Sequence, residues 1–294
     1  MSEFLILSGK DVSQSVYQSL EDRIAQLKQK SIIPGLAVIL VGDDPASQVY
    51  VRSKTKKFDQ LSLITETFRL DENSSEDELL QLIKQLNHNE QFHGILVQLP
   101  LPKQMNSGKV LRAIDPKKDV DGFHPENAGL LSIGEPRFIP CTPKGVMRIL
   151  SHYEIDLKGK HVVVVGRSNI VGRPISILTN LKLLGANGTT TVCHSGTPNI
   201  EEFTQRADVL IVALGSAQFL TGTMIKPGAV IIDVGINRID AENEKGYTLV
   251  GDANWHSILE NASAATPVPG GVGPMTIAML VENTVEAAEQ LAIG

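Results

Sequence analysis

The chain has 294 residues, a length that suits about two domains. It carries 27 Lys and Arg against 33 Asp and Glu, and a net charge of −6 gives no indication of binding to nucleic acid or to an anionic membrane. No apolar run approaches about 18 residues and no basic leader opens the chain, so we expect neither a transmembrane helix nor a signal peptide. Cys141 and Cys193 lie in unrelated contexts, which indicates reduced thiols in a cytoplasmic protein.

Helical and strand patterns alternate in the N-terminal half. In chain order they predict helix 10–29, strand 36–41, helix 45–60, strand 65–70, helix 75–87 and strand 94–99. This alternation is typical of a parallel sheet, in which ligands bind at the C-terminal ends of the strands.

Polar residues stand out at two of those ends. Asp44 and Pro45 predict the start of helix 45–60, on which Tyr50 and Lys54 are four residues apart and share a face. Gln98 is a polar residue in an otherwise apolar strand, so its amide must bond to backbone groups or face a ligand.

The segment after this strand contains an acidic turn. Asp119 and Asp121 suggest calcium, but with Gly122 as the sixth loop position the first and twelfth positions are Lys117 and Ala128, which are not workable ligands. Asp121 therefore lies either in an ordinary turn or in a turn that presents its carboxylate, and the residues alone favour the ordinary turn.

A second alternating region follows a predicted linker helix, which Thr142 caps and Pro143 opens, and which marks the crossing between two domains. In chain order the pattern predicts strand 161–165, helix 171–184, strand 189–193, helix 198–205, strands 209–213 and 229–234, a weaker strand 248–250, a short segment 255–259 and a closing helix that begins at Pro274.

The strand 161–165 leads into a predicted phosphate loop, bounded by Gly166 and Gly172 but without the usual G-x-G-x-x-G spacing. Arg167 follows this strand, and Ser195 follows the next strand, where NAD-binding folds carry a carboxylate. A guanidinium and a hydroxyl suit a 2′-phosphate, which favours NADP over NAD. The alternative is that both residues are solvated loop residues.

The loop 266–274 contains three prolines and three glycines. It suits close approach of the backbone to a planar ligand, or a hinge between domains. We expect the closing helix to return to the N-terminal sheet. The seven histidines show no metal-binding spacing, so we predict no required metal and a binding role for His194 alone.

Eight segments together resemble the bifunctional methylenetetrahydrofolate dehydrogenase/cyclohydrolase family across nearly the whole chain. They are VGDDPASQVYVRSKTK, HGILVQLPLP, KKDVDGFHPENAG, PCTPKGV, GRSNIVGRP, CHSGTP, DVGIN and TPVPGGVGPMT. The departures, Lys57-Phe58 and the segment GDANW, affect no residue with a predicted role.

The resemblance implies two α/β domains with the folate site in the cleft between them. Residues 1–140 with 275–294 would form the folate-binding catalytic domain, and residues 141–274 a Rossmann-like NADP-binding domain with a parallel sheet. The implied activity is oxidation of 5,10-methylenetetrahydrofolate by NADP⁺ to the methenyl form, followed by hydrolysis to 10-formyltetrahydrofolate at the same site.

The resemblance also implies a catalytic set. Tyr50 would stack on the folate, Lys54 would move protons, Gln98 would hold the lysine, and Asp121 would bind the pterin. The implied substrate-binding residues are Tyr50, Lys54, Gln98, Leu99, Pro100, Asp121, Pro269, Gly270, Gly271 and Gly273. The implied cofactor-binding residues are Gly166, Arg167, Ser168, Ile170, Val171, Gly172, Pro174, His194, Ser195, Ala213, Gly215, Gly235 and Ile236.

The partners implied are tetrahydrofolate derivatives and a second copy of the chain, as a homodimer through the NADP domain. Two other interpretations remain open. One is a dehydrogenase of the same fold that lacks the hydrolysis step and uses NAD; the other is a nucleotide-sensing regulatory protein without turnover.

Overall fold

The structure is a computed structural model that describes residues 4–243 and 246–292. In chain order its elements are β1 (Leu5–Ile6), α1 (Gly9–Gln29), β2 (Gly35–Val41), α2 (Pro45–Gln60), β3 (Ile64–Leu70), α3 (Glu76–His88), β4 (Gly94–Val97), α4 (Ser107–Ala113), α5 (Pro125–Ser132), α6 (Cys141–His152), β5 (His161–Val165), α7 (Gly172–Asn180), β6 (Thr189–Cys193), α8 (Glu201–Thr204), β7 (Val209–Val212), a 3-10 turn (Gly222–Met224), β8 (Ala229–Asp233), β9 (Asn237–Asp240), β10 (Tyr247–Val250), α9 (Trp255–Ile258), β11 (Ala262–Ala265) and α10 (Val272–Leu291).

The chain forms two compact units. One unit comprises Thr142–Thr276 together with the N-terminal segment up to Ser15, and the other comprises Val16–Cys141 together with the C-terminal segment from Ile277. We call them the Rossmann unit and the α2 unit. None of the helices within the described ranges is long and apolar enough to cross a membrane.

The α2 unit contains a three-stranded parallel sheet in the order β3-β2-β4. All seven residues of the central strand β2 are buried, as its uninterrupted apolar sequence predicts. The third strand ends at Val97 rather than at the predicted residue 99, but Gln98 still donates its backbone N–H to Ile39 O at 2.9 Å. Gln98 therefore leaves the sheet with its backbone fixed.

Helix α10 adds a buried polar contact to this unit. Asn283 has no exposed surface, and its Nδ2 donates to Val120 O at 2.7 Å and to Ile139 O at 3.0 Å. Both carbonyls flank the turn that contains Asp121. A buried carbonyl group without a hydrogen-bond donor destabilises the folded state. By donating to both carbonyls, Asn283 therefore stabilises the turn.

The Rossmann unit contains a six-stranded sheet in the order β1-β11-β8-β7-β5-β6, in which every pairing is parallel. The chain leaves β5 to one side for β6 and continues on the other side with β7, so the strand order reverses between β5 and β7. In sheets of this type, ligands bind at the C-terminal ends of the strands beside that reversal. A separate antiparallel hairpin, β9 with β10, follows β8.

Three predicted features are wrong. Helix α6 begins at Cys141, so Thr142 lies inside the helix and its hydroxyl pairs with the Thr276 hydroxyl at 3.0 Å instead of capping. The helix predicted over 171–184 ends at Asn180, because the next residue has an extended backbone, with ψ of 143°. The helix predicted over 198–205 is reduced to Glu201–Thr204.

The closing helix α10 begins at Val272, two residues before Pro274. A proline is tolerated there because the first-turn N–H groups have no partner within the helix.

Candidate functional site

Helix α2 buries a lysine at a position that normally holds an apolar residue. Its buried residues are Ser47, Val51, Lys54 and Phe58, spaced as one helical face. Asp44 fixes the start of the helix, since its Oδ2 accepts a hydrogen bond from Ser47 N at 2.7 Å. Lys54 is only 7% exposed, and a buried lysine requires a polar partner.

Gln98 is that partner. Lys54 Nζ donates to Gln98 Oε1 at 3.1 Å, and Gln98 Nε2 donates to Leu99 O at 2.7 Å. Because the amide nitrogen bonds to a carbonyl, the amide oxygen must face the lysine. The polar residue that follows the apolar strand β4 thus has a structural explanation: Gln98 orients the ammonium group of Lys54.

Asp121 lies within electrostatic reach of the same lysine. Burial raises the pKa of Asp121 above its ordinary value, while the positive charge of Lys54 and a hydrogen bond from the Cys141 thiol act to lower it. The turn is tight, because Gly122 has φ of +73° and a Cβ there would lie 2.9 Å from Pro140 N. The structure therefore brings Lys54, Gln98 and Asp121 together; we call these three residues the lysine cluster.

Tyr50 lies one turn before Lys54 on α2. Its side chain is 40% exposed, and partial burial raises the pKa of its hydroxyl. A tyrosine that is half-buried next to a buried amine offers a ring face to a planar ligand and remains protonated at neutral pH.

The predicted loop with Pro269, Gly270, Gly271 and Gly273 lies within the Rossmann unit, where it contacts the start of α1. Gly271 N donates to Pro267 O at 2.7 Å, and Lys10 N donates to Gly270 O at 3.1 Å. A Cβ at Gly271 would lie 2.6 Å from Pro267 O, so glycine is required for this close approach.

The predicted phosphate loop closes over the start of α7. Gly166 has φ of +130°, and a Cβ there would overlap Ala213 O at the end of β7; a Cβ at Gly172 would overlap Gly166 O. Ser168 Oγ accepts hydrogen bonds from Val171 N at 3.2 Å and from Gly172 N at 3.4 Å. Backbone thus packs on backbone at the reversal of strand order, leaving no room for a side chain.

Arg167 and Ser195 occupy equivalent positions just beyond the ends of the neighbouring strands β5 and β6. Val165 pairs with Cys193, so each of the two residues lies two positions beyond a paired strand end, and both are exposed. His194 turns into its own loop, where its Nδ1 accepts from Gly196 N at 3.0 Å. An exposed guanidinium and an exposed hydroxyl at equivalent positions beyond two paired strands suit the binding of a phosphorylated dinucleotide.

The sequence did not reveal a pair of buried carboxylates at the ends of β8 and β10. Asp233 is 4% exposed and Asp252 is fully buried, and both accept backbone N–H bonds near the predicted cofactor residues Gly215 and Gly235. Burial raises the pKa of Asp233 to about 6. A loop has no periodic pattern in which an acidic residue would stand out. The pair Gly251-Asp252, directly after β10, was nevertheless a usable signal for a buried carboxylate.

Across residues 4–243 and 246–292, no group of three or more His, Cys, Asp or Glu side chains is arranged to hold a metal ion.

Comparison with known families assigns both halves of the chain. Residues 7–121 match the catalytic domain of tetrahydrofolate dehydrogenase/cyclohydrolase, and residues 140–292 match its NAD(P)-binding domain. The chain belongs to the tetrahydrofolate dehydrogenase/cyclohydrolase family. The prediction of two α/β domains, the second Rossmann-like and dinucleotide-binding, is confirmed.

Relatives in this family are similar over nearly their whole length. A bifunctional protein FolD from Chloroherpeton thalassium is 54% identical over 289 residues, which cover 97% of this chain and 98% of the relative. The crystal structure of the bifunctional FolD dehydrogenase/cyclohydrolase from Campylobacter jejuni is 46% identical, with a TM-score of 0.93 over 98% of this chain and 100% of the other. A Trypanosoma brucei FolD structure, complexed with NADP cofactor and inhibitor, is 34% identical, with a TM-score of 0.94 and full coverage of both chains.

Asp119, two residues before Asp121, generates a testable pH dependence. It is 1% exposed, and burial raises its pKa to about 7 even though its Oδ2 accepts bonds from His124 N and Asn127 Nδ2. The folded state therefore holds this proton more tightly than the unfolded state, and the carboxyl stabilises the fold increasingly as the pH falls from about 7 towards its ordinary pKa of 3.8.

Asp119→Asn should flatten this part of the pH dependence, measured as the difference from wild type in the urea midpoint between pH 8 and pH 4. The matched control is Asp59→Asn, whose carboxyl is exposed on α2. Parallel curves for wild type and Asp119→Asn would contradict the raised pKa.

Proposed function

We propose that this protein oxidises 5,10-methylenetetrahydrofolate to 5,10-methenyltetrahydrofolate with NADP⁺ and then hydrolyses the methenyl compound to 10-formyltetrahydrofolate. The observation that carries the proposal is the buried Lys54, bonded to Gln98 and electrostatically coupled to Asp121, in a chain of this family. We further propose that the α2 unit binds the folate and that the Rossmann unit binds NADP.

The oxidation requires alignment more than chemistry from the protein. NADP⁺ supplies the hydride acceptor. The half-buried Tyr50 ring offers a face on which the folate stacks, and Asp121 bonds to the amino group and a ring nitrogen of the pterin. These contacts hold the methylene carbon in one orientation, which lowers the entropic part of the barrier.

The hydrolysis requires proton transfer. Water adds to the bridging carbon of the methenyl cation and loses one proton; the C–N5 bond then breaks as the proton of the adduct hydroxyl leaves and N5 gains a proton, so the formyl group stays on N10 and one proton is released overall. Lys54 Nζ carries these protons. Gln98 Oε1, 3.1 Å away, accepts from the amine and keeps it aimed at the reacting carbon.

The other predicted substrate residues, Leu99 and Pro100 of the α2 unit and the glycine loop 269–273, remain part of this proposal. The inclusion of Leu99 is supported by the hydrogen bond that its carbonyl oxygen accepts from the Gln98 amide.

The choice of NADP rests on Arg167 and Ser195. Both side chains are exposed, and they follow the neighbouring strands β5 and β6 at equivalent positions. The Arg167 guanidinium and the Ser195 hydroxyl would hold the 2′-phosphate of NADP, because both donate hydrogen bonds and the guanidinium also supplies positive charge; the 2′-hydroxyl of NAD would gain little from that charge.

We also propose that the protein is a cytoplasmic homodimer assembled through the Rossmann unit. Strand β6 is an edge of the six-stranded sheet, so one row of its backbone hydrogen-bonding groups is available for pairing. Leu183 and Leu184, in the segment that leads into β6, are 57% and 104% exposed, and Val192 on the strand is 38% exposed. Apolar side chains next to an open strand edge suit a second copy of the same surface. Both cysteines are free and buried, as suits a reducing compartment.

Lys54→Met tests the hydrolysis. The variant keeps the packing volume but cannot carry a proton, so hydrolysis of methenyltetrahydrofolate should fall by roughly 10² or more. The measurement follows the decay of methenyl absorbance together with formation of reduced cofactor from methylenetetrahydrofolate.

The matched control is Lys56→Met, an exposed lysine of the same helix, which should behave as wild type. Wild-type rates of hydrolysis in Lys54→Met would show that the lysine is not the proton carrier, and a wild-type protein that forms reduced cofactor without hydrolysis would be a dehydrogenase alone.

Arg167→Ala tests the choice of cofactor. Loss of a charge-assisted contact should raise KM for NADP⁺ by about tenfold or more, while KM for NAD⁺ should change little. Arg173→Ala, an exposed arginine on α7, is the control. Equal effects on both cofactors would contradict recognition of the 2′-phosphate by Arg167.

A further inference from the structure

A buried carboxylate accepts hydrogen bonds from the loop at the C-terminal end of β7. Asp252 has no exposed surface. Its Oδ2 accepts hydrogen bonds from Leu214 N at 2.6 Å and from Gly215 N at 2.9 Å. Its Oδ1 accepts from Ser216 N at 2.9 Å and from Asn237 Nδ2 at 2.8 Å. Three consecutive backbone N–H groups and one side-chain amide thus converge on one carboxylate.

A second carboxylate fixes the first. Asp233 Oδ1 accepts from Asp252 N at 3.0 Å and from Gly235 N at 2.9 Å, and its Oδ2 accepts from Ala253 N at 2.8 Å. A Cβ at Gly235 would overlap the Asp252 carboxylate, so the backbone packs directly on the charge. Asp252 therefore cannot move without disturbing the end of β8.

The geometry sets the direction of the loop's carbonyl groups. A trans peptide points its N–H and the preceding C=O in opposite directions. Because the N–H groups of residues 214–216 point at Asp252, the carbonyl groups of Ala213, Leu214 and Gly215 point away from it, and Ala213 O lies directly beside Gly166.

Those carbonyls lie at the reversal of strand order, where a dinucleotide binds in this fold. Gly215 has φ of +70°, and within the described part of the chain no atom beyond its two chain neighbours lies within 4 Å of where a Cβ would be, so there is open space at Gly215. Ile236, beside Asn237, is 44% exposed. The carbonyl oxygens of Leu214 and Gly215, which point away from Asp252, are acceptors for the hydroxyl and amide donors of a dinucleotide.

We propose that Asp252 is a positioning residue for NADP: it does not touch the cofactor, but it holds the 213–216 loop with its carbonyls outward and ties that loop to Asn237. The inference rests on the proposed function, since it concerns the cofactor that function requires. It differs from a merely structural role, because a structural role would affect both activities and the stability together.

The test is Asp252→Asn in the full chain. The amide keeps one acceptor oxygen, but its NH₂ group replaces the other and faces N–H donors. Titration calorimetry with NADP⁺ should show a Kd raised by about tenfold or more. KM for NADP⁺ should rise with it, whereas hydrolysis of methenyltetrahydrofolate without cofactor, carried by the lysine cluster, should stay within about twofold of wild type.

The matched control is Asp240→Asn, the same chemical change at an exposed carboxylate on β9, which should bind NADP⁺ as wild type does. An unchanged Kd in Asp252→Asn would overturn the proposal, as would equal losses of NADP⁺ binding and hydrolysis.

Should Asp252→Asn fail to fold, Asn237→Ala removes only one of the four contacts and should weaken NADP⁺ binding in the same direction by a smaller factor; an unchanged Kd there would also overturn the proposal. Wild-type protein that neither binds nor reduces NADP⁺ would instead overturn the proposed function, and the inference with it.

Discussion

The hydrogen bond between Lys54 Nζ and Gln98 Oε1 is the constraint on which the α2 unit depends. A lysine on the buried face of a helix is tolerated only with a polar partner, and that partner is the residue that directly follows strand β4. A shift of one residue in the pairing of β4 with β2 would turn Gln98 to the other face of the sheet. The Lys54 amine therefore keeps its partner only when β4 pairs with β2 in this register.

The two units handle buried charge differently. In the α2 unit a lysine, an amide and a carboxyl group offset one another through their side chains, and Asn283 secures the turn around Asp121 through two backbone carbonyls. In the Rossmann unit the carboxylates of Asp233 and Asp252 are stabilised almost entirely by backbone N–H groups. The first arrangement gathers polar side chains around one amine, whereas the second fixes the backbone that follows β7 and β8.

Much of the fold was predictable because strong local patterns agree with it. The four valines of β5 and the apolar run of β2 predicted buried parallel strands, and Asp44 with Pro45 predicted the start of α2. Strand β11 was missed because Ala262–Ala265 lacks branched side chains and depends on its neighbour β8 for pairing. Gln98 stood out as a polar residue in an apolar strand, and Tyr50 and Lys54 as neighbours on one helix face, but Asp252 did not stand out, because its contacts are with backbone groups distant in sequence.

Along the chain, the hairpin β9–β10 lies between the buried residues Asp233 and Asp252. Asp233 accepts from Gly235 N before the hairpin and from Asp252 N after it, and Asn237 at the first position of β9 donates to Asp252. A substitution that disturbs the pairing of β9 with β10 would therefore reach the loop 214–216 through Asn237 and Asp252, rather than stay local to the hairpin.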